Sequence, residues 1–236
     1  MSPKLFNILL GALFFASPAL AQEVSISAGG GSLTMGAVQL FGIITVLSLA
    51  PGIAIMVTCF PFMVTVLSIL RQALGVQQAP PNMLIVSLAL FLTWFVMAPV
   101  FTEAWEMGIS PLLNEQIETE QAINKTLAPF EIFMAARVDT ETLDNLFESI
   151  PEGRNREDLS VLIPAFMLSE IQRGFEVGFL IFLPFLVIDL VVAAVLMSMG
   201  MMMVPPAMVA LPFKLAFFVI SDGWSLLAGA LVRSYQ

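Results

Sequence analysis

Residues 175–224 read FEVGFLIFLPFLVIDLVVAAVLMSMGMMMVPPAMVALPFKLAFFVISDGW. Two apolar segments, about 175–204 and 207–232, meet there at the proline pair Pro205-Pro206. Each segment is long enough to cross a hydrocarbon core of roughly 30 Å as a helix, and a proline pair interrupts helical hydrogen bonding. The stretch therefore predicts a helical hairpin with a very tight turn, in an all-α membrane protein that contains kinked helices.

The composition of the whole chain agrees with this class and excludes several kinds of chemistry. Of the 236 residues, 58% are hydrophobic and 11% are charged, which is unlike a soluble domain. The sequence has no histidine and one cysteine, Cys59, so an internal disulfide, a thiolate metal cluster and any histidine-dependent nucleophile are excluded. We predict that the protein is not an enzyme and holds no cofactor or metal.

The net charge of -9 comes from a single segment. Thirteen acids and four bases lie between Glu103 and Asp158, and the rest of the chain is balanced, so no basic patch is available for nucleic acid. Across residues 102–160, apolar residues recur at roughly helical spacing, which predicts two or three amphipathic helices in water. Pro151-Glu152-Gly153 closes this acidic region. We interpret its surface as a solvated shell, with a docking surface as the alternative.

The amino-terminal end has the pattern of a secretory signal peptide over residues 1–21. Lys4 precedes the apolar stretch Leu5–Phe15, and Ala19-Leu20-Ala21 gives a small-x-small cleavage pattern, so we expect cleavage after Ala21. An uncleaved anchor is the alternative, although the stretch is short for a span of roughly 20 residues. Cleavage would leave the new amino terminus outside, the turn that carries Arg71 inside, and the acidic region outside.

Residues 22–101 form an amino-terminal apolar region. After a glycine-rich lead-in, the apolar stretch from Val38 is interrupted by Pro51-Gly52 and by Cys59-Phe60-Pro61. These breaks predict two helical pieces or one strongly kinked helix. A second apolar segment, 83–101, follows a proline turn and has tryptophans toward one end, as expected at a membrane interface.

The carboxy-terminal region, residues 161–236, places charges within or beside apolar helices. A charge at the centre of a spanning helix costs about 2.5–3.5 kcal/mol on insertion scales, so these residues need partners. Asp189 and Lys214 have opposite signs, and the hairpin would bring them to comparable depth, so we expect them to pair within one chain or between neighbours. A proton relay is the alternative. The residues predicted to make charged contacts between helices or subunits are Glu170, Arg173, Asp189, Lys214 and Asp222.

Two further features favour close packing in an oligomer. Gly174 and Gly178 form a small-xxx-small pattern that lets helix backbones approach closely. Many prolines also fall in apolar segments, and broken helices at membrane depth persist only when buried in protein or lining a cavity.

Methionines cluster around the hairpin turn. They are Met197, Met199, Met201, Met202, Met203 and Met208. Their soft, flexible side chains fit three interpretations: apolar filling of a turn, a copper site, or a deformable constriction in a pore. The absence of histidine in the sequence weighs against copper.

Several ordered motifs resemble a known family. They are PAFMLSE at 164–170, PFLVID at 184–189, MSMGMMMVPP at 197–206, Lys214, and Asp222-Gly223-Trp224. The chain resembles the FliP family, the flagellar branch of the type III protein-export-gate family. The match is looser over RQALG at 71–75 and Pro80-Pro81-Asn82, and the acidic region is the least diagnostic part.

This resemblance implies a function and a set of partners. Family members assemble in several copies, about five, as subunits of a helical oligomeric pore complex. The partners implied are FliQ and FliR, the export-apparatus membrane proteins FlhA and FlhB, unfolded flagellar export substrates, and membrane lipid. The implied location is the bacterial inner membrane at the flagellar basal body, with a portion facing the periplasm. Met201, Met202 and Met203 would form the pore gasket, and Glu170, Asp189 and Lys214 would hold subunits together.

Two other functional classes remain as alternatives. A secondary transporter for a small solute or proton would show inverted repeats, and the two halves of this sequence show no convincing similarity. An intramembrane hydrolase would need paired carboxylates or a nucleophile with its base, and Asp189 and Asp222 lack that motif context.

Overall fold

A computed structural model describes residues 33–76, 80–149, 155 and 158–235. The predicted signal peptide with its Ala21 cleavage site, most of the glycine-rich lead-in and the Pro151-Glu152-Gly153 turn lie outside these residues. Throughout the described ranges the regular structure is helical, with no strand. The predicted all-α membrane class is therefore confirmed.

Nine α-helices and one π-helical turn make up this structure. Their bounds are α1 Leu33–Met56, α2 Phe60–Leu74, α3 Asn82–Ala104, the π-turn Trp105–Ile109, α4 Ser110–Leu113, α5 Thr119–Arg137, α6 Thr140–Glu148, α7 Leu159–Ser198, α8 Pro206–Ile220 and α9 Gly223–Arg233 in the part of the chain that is described. The chain divides into two units, Met1–Leu49 and Ala50–Gln236. In the first unit, the Thr45 hydroxyl donates to the Phe41 carbonyl at 2.7 Å, within α1.

The first apolar stretch is two helical pieces, as one of the two sequence interpretations predicted. The break lies at Val57–Cys59, directly before Pro61 in the first turn of α2, where a missing N–H costs nothing. Helix α2 ends at Gly75, which has φ of 75° and donates its N–H to the Gln72 carbonyl. Glycine reaches this left-handed conformation without a Cβ penalty.

The third apolar segment is longer than its hydropathy predicted. We expected an apolar helix from about Phe175, but α7 begins at Leu159 and runs for 40 residues. The charged residues Glu170, Arg173 and Glu176 interrupt the hydropathy of this segment but not its helical backbone. Pro164 and Pro184 lie inside the helix.

The segment expected over 207–232 is not one continuous helix. It divides at Ser221-Asp222 into α8 and α9, which are bent by 63°. Asp222 has φ of 50°, a left-handed conformation that is rare for a residue with a side chain and ends α8. The α7–α8 hairpin itself is present, as predicted.

The acidic region is helical. Helix α6 is amphipathic, whereas the longer α5 has no marked separation of apolar and polar faces. The first helix of the region continues from the membrane segment. Helix α3, the π-turn and α4 run without a break over Asn82–Leu113. The change in composition at residue 102 is therefore not a helix end. Helix α5 packs on the first part of α7 through a buried cluster of Met134, Leu162 and Phe166, and α6 also contacts α7.

Among the described residues, two helices, Asn82–Leu113 and Leu159–Ser198, are long and apolar enough to cross a membrane. The number rises to four if each bent pair of helices counts as one span, all by length and composition alone. The core beneath them centres on α2, whose Phe62, Met63 and Val66 are buried against α3, α7 and α9. Helix α2 thereby positions the polar sites described below.

Candidate functional site

The structure brings Asp189 and Lys214 together inside one chain. Lys214 Nζ donates to Asp189 Oδ2 at 2.6 Å and to the carbonyl oxygen of Ala73 at 3.0 Å. The lysine side chain is buried and the aspartate is about one-third exposed. Three helices, α2, α7 and α8, therefore meet at one ammonium group.

The position of Lys214 follows from the way α2 ends. Carbonyls in the last turn of a helix lack intrahelical donors and carry partial negative charge. Gly75 turns the chain away at that point, so Ala73 O is free to accept from Lys214. Asp189 Oδ1 is buried and accepts no hydrogen bond from the described residues.

Gly174 and Gly178 lie where α7 crosses α2. A Cβ on Gly174 would lie 3.0 Å from Thr65 Cβ, and a Cβ on Gly178 would lie 3.1 Å from Ile69 Cβ. Both glycines therefore permit the close approach that the sequence predicted, and in this chain the neighbour is its own α2.

Glu170 is the centre of a second polar site. Its side chain is 0% exposed, and Oε1 lies 3.1 Å from Arg173 Nη1 and 3.5 Å from Arg137 Nε. Tyr235 Oη donates to Oε2. Because a buried carboxylate is stable only with charged or hydrogen-bonding partners, these three side chains account for its burial.

Arg137 joins this site to the end of the chain. Its Nη1 donates to the Ser234 carbonyl at 2.8 Å, and its guanidinium lies 4.0 Å from the centre of the Tyr235 ring. The Arg137 carbonyl in turn accepts from Arg173 Nη2 at 3.3 Å. Helix α5, helix α7 and the last residues of the chain are thereby tied together.

Sequence reasoning missed Arg137 and Tyr235. Arg137 looked like one of the few bases of an acidic, water-facing region, and Tyr235 lies beyond the last apolar segment. One sequence signal pointed to Tyr235, which is the only tyrosine in the sequence, and none singled out Arg137.

Asp139 begins α6 next to this site. Its Oδ2 accepts from the Thr142 N–H at 2.8 Å and from the Thr142 hydroxyl at 2.9 Å. These hydrogen bonds stabilise the ionised form and hold the pKa of the Asp139 carboxyl below its ordinary value. The Asp139 N–H donates to Ser169 Oγ at 2.9 Å, which fixes α6 against α7.

The predicted gasket methionines lie on the exposed turn between α7 and α8. Met202 is 84% exposed, Met203 is 97% exposed and Met201 is 36% exposed. Gly200, at φ of 74°, donates to Met197 O, and the Met201 N–H donates to Leu196 O, so the turn is a Schellman motif. The backbone is fixed while the thioether side chains remain uncovered.

Asp222 does not join either polar site. It is exposed at the α8–α9 bend, and its side chain makes no hydrogen bond or ion pair with the part of the chain that is described. Its predicted contact with another subunit stays a prediction. Within the same ranges, no group of three or more histidine, cysteine, aspartate or glutamate side chains is placed to hold a metal ion.

Comparison with known proteins gives a consistent result. The FliP family profile matches residues 43–231. The chain is 55% identical to flagellar biosynthetic protein FliP of Caulobacter vibrioides, over 92% of this chain and 84% of the relative. It is 52% identical to that of Agrobacterium fabrum, over 87% and 86%, and 45% identical to that of Bacillus subtilis, over 84% and 91%. The chain therefore belongs to the FliP family.

Proposed function

We propose that this chain is a core pore-forming subunit of the flagellar type III protein-export gate. Several copies assemble with FliQ and FliR and conduct unfolded flagellar subunits across the inner membrane. Family membership carries the flagellar biosynthetic role, and the exposed methionine turn is the observation that supports a pore. An apolar loop tip that a single chain leaves uncovered is typical of a surface that meets other molecules.

The geometry of the turn suits a flexible constriction. Met202 and Met203 project from a hairpin whose backbone is fixed by the Schellman hydrogen bonds and by Pro205. Unbranched thioether side chains repack around irregular shapes, so several copies of this turn would close around one another and still yield to a passing chain.

The two polar sites would make each subunit a rigid unit behind that flexible tip. The Lys214–Asp189 pair fixes the hairpin to α2, and the Glu170 cluster fixes α5 and the chain end to α7. Contacts of these charges with neighbouring subunits remain part of the proposal, as do the contribution of FlhA and FlhB and the division of the chain at residues 21, 101 and 160. We place residues 102–160 on the periplasmic side.

Native mass spectrometry tests the assembly. A tagged chain extracted gently from its host membrane should be detected at the mass of a large complex that contains several copies and small hydrophobic partners. A stable monomer or dimer would contradict the proposal and would favour the alternative that the protein is a secondary transporter.

A matched pair of variants tests the gasket. Replacing Met201, Met202 and Met203 together with alanine should raise ion leakage across the inner membrane while the complex still assembles. The control is Met83→Ala, which changes a methionine that is 80% exposed at the start of α3. If the triple variant assembles and leaks no more than this control, the methionines are not the seal.

A further inference from the structure

A groove with an apolar floor lies where α5 and α6 meet the first turns of α7. It has a volume of about 440 Å³, and its floor is formed by Ile132, Ala135, Val138, Leu143 and Leu162, with Glu131 among its lining residues. Leu162 also belongs to the buried cluster beneath, so the floor continues directly into the core.

The floor leaves apolar surface open in a region that otherwise faces water. Ile132, next to Glu131 on α5, is 67% exposed. Another face of the same helix packs on α7. Apolar surface of this kind, next to polar residues and on a rigid base, is typical of a site that another molecule covers.

The charges around the groove indicate what kind of molecule fits. Glu131 lines the groove itself, and the region that contains it, from Glu103 to Asp158, carries thirteen acids against four bases. Such a surface attracts cationic partners and repels anionic ones. A second copy that docked through its own acidic region would bring the same acids to this face, and an anionic lipid surface would bring further negative charge, so both of these occupants are unfavourable.

We propose that this groove binds a basic amphipathic segment of another protein. The apolar face of that segment covers Ile132 and Leu143, and its lysines or arginines face Glu131 and the surrounding acids. The proposal does not depend on the pore function, because none of these residues belongs to the methionine turn or to the two polar sites.

Crosslinking in cells that carry the intact flagellar machinery tests it. A photo-reactive amino acid replaces Ile132 in the full-length chain, and the crosslinked peptide is sequenced by mass spectrometry. We expect a segment of a different protein, apolar on one helical face and positively charged on the other. The matched control position is Ile123, which is also exposed on α5 but does not line the groove.

Charge variants of the same chain complete the test. Glu131→Lys should lower the crosslink yield at Ile132 about threefold or more, and Glu131→Gln should lower it less, as expected for losing one exposed ion pair. Glu120→Lys, on the same helix outside the groove, should leave the yield unchanged. The proposal is overturned by a crosslink to a second copy, by a crosslink to an acidic or uncharged segment, or by no crosslink. It is also overturned if Glu131→Lys leaves the crosslink yield at Ile132 unchanged.

Discussion

Glu170→Gln tests whether the buried charge cluster holds the chain together. The substitution keeps the shape of the side chain and an oxygen able to accept from Tyr235, but it removes the negative charge between Arg137 and Arg173. Everything else about the site stays in place, so the change isolates the electrostatic contribution.

The expected loss can be worked out from the geometry. Glu170 Oε1 lies 3.1 Å from Arg173 Nη1 and 3.5 Å from Arg137 Nε. At an effective dielectric constant of about 20, one charge pair at about 4 Å is worth roughly 4 kcal/mol. The lost attraction is partly offset, because burying the neutral amide avoids the desolvation cost of burying a carboxylate. We therefore expect a net loss of about 3 kcal/mol in the free energy of unfolding, the size typical of breaking a buried pair.

Thermal unfolding of the purified full-length chain in one detergent measures this loss. For a chain of this size, about 3 kcal/mol lowers the melting temperature by roughly 6–12 °C. The control is Glu176→Gln on the same helix, an exposed glutamate whose side chain accepts from Gln172 at 3.4 Å and from no other residue in the described part of the chain. Its effect should stay within about 0.5 kcal/mol, as for surface changes in general.

A second variant shows whether the chain end shares the cluster. Tyr235→Phe removes the donor to Glu170 Oε2 and should cost about 2 kcal/mol, typical of a hydrogen bond to a charged group. Combined with Glu170→Gln it should cost less than the sum of the two changes, because the residues are in contact. If Glu170→Gln melts within 2 °C of the unchanged protein, roughly 1 kcal/mol or less, the cluster contributes no net stability and the reasoning is refuted.

Three further predictions concern other parts of the molecule. Gly108→Ala should destabilise the chain by roughly 1–3 kcal/mol, because a Cβ there would lie 2.8 Å from a backbone nitrogen of α5; Gly52→Ala, which has open space around it, is the control in the same melting assay. Asp189→Lys or Lys214→Asp alone should lower the yield of assembled complex on native gels, and the double exchange should partly restore it; no restoration would mean that the orientation of the pair, not only its charge, is required. The ionised Asp139 carboxyl contributes stability at neutral pH, and since its folded pKa is depressed this contribution is lost as pH falls below about 4; the melting-temperature advantage over Asp139→Ala should therefore shrink in acid, and an advantage unchanged by pH would contradict it.

Local sequence signals located most of the helices and one of the two polar sites. Pro61 and Gly75 mark where α2 begins and ends, and Pro205 marks the hairpin turn, because proline and glycine act on the backbone of their own neighbourhood. The sequence pairs Asp189 with Lys214, within one chain or between neighbours, because the hairpin brings these two opposite charges to comparable depth.

The remaining features depend on distant contacts. The bend at Asp222 uses a left-handed conformation that aspartate adopts more often than most residues but that its sequence neighbours do not require, and Gly223 beside it lies against the ring of Phe218. The full length of α7 was also missed, since hydropathy drops at Glu170 although that side chain is buried among its partners. Hydropathy reports the residue type, whereas burial depends on what the fold places around it.

The sequence by itself determined the all-α membrane class, the hairpin, the methionine-rich turn and the acidic region, because each depends on composition and on spacing along the chain. Only the tertiary structure decided which charges meet. Arg137 and Tyr235 are 33 and 65 residues away from Glu170, and no pattern of local spacing connects them. They come together because α5 packs on α7 and the chain end packs on α5, where Tyr235 stacks on Phe133. The carboxylate that this packing buries accepts from the donors that lie beside it.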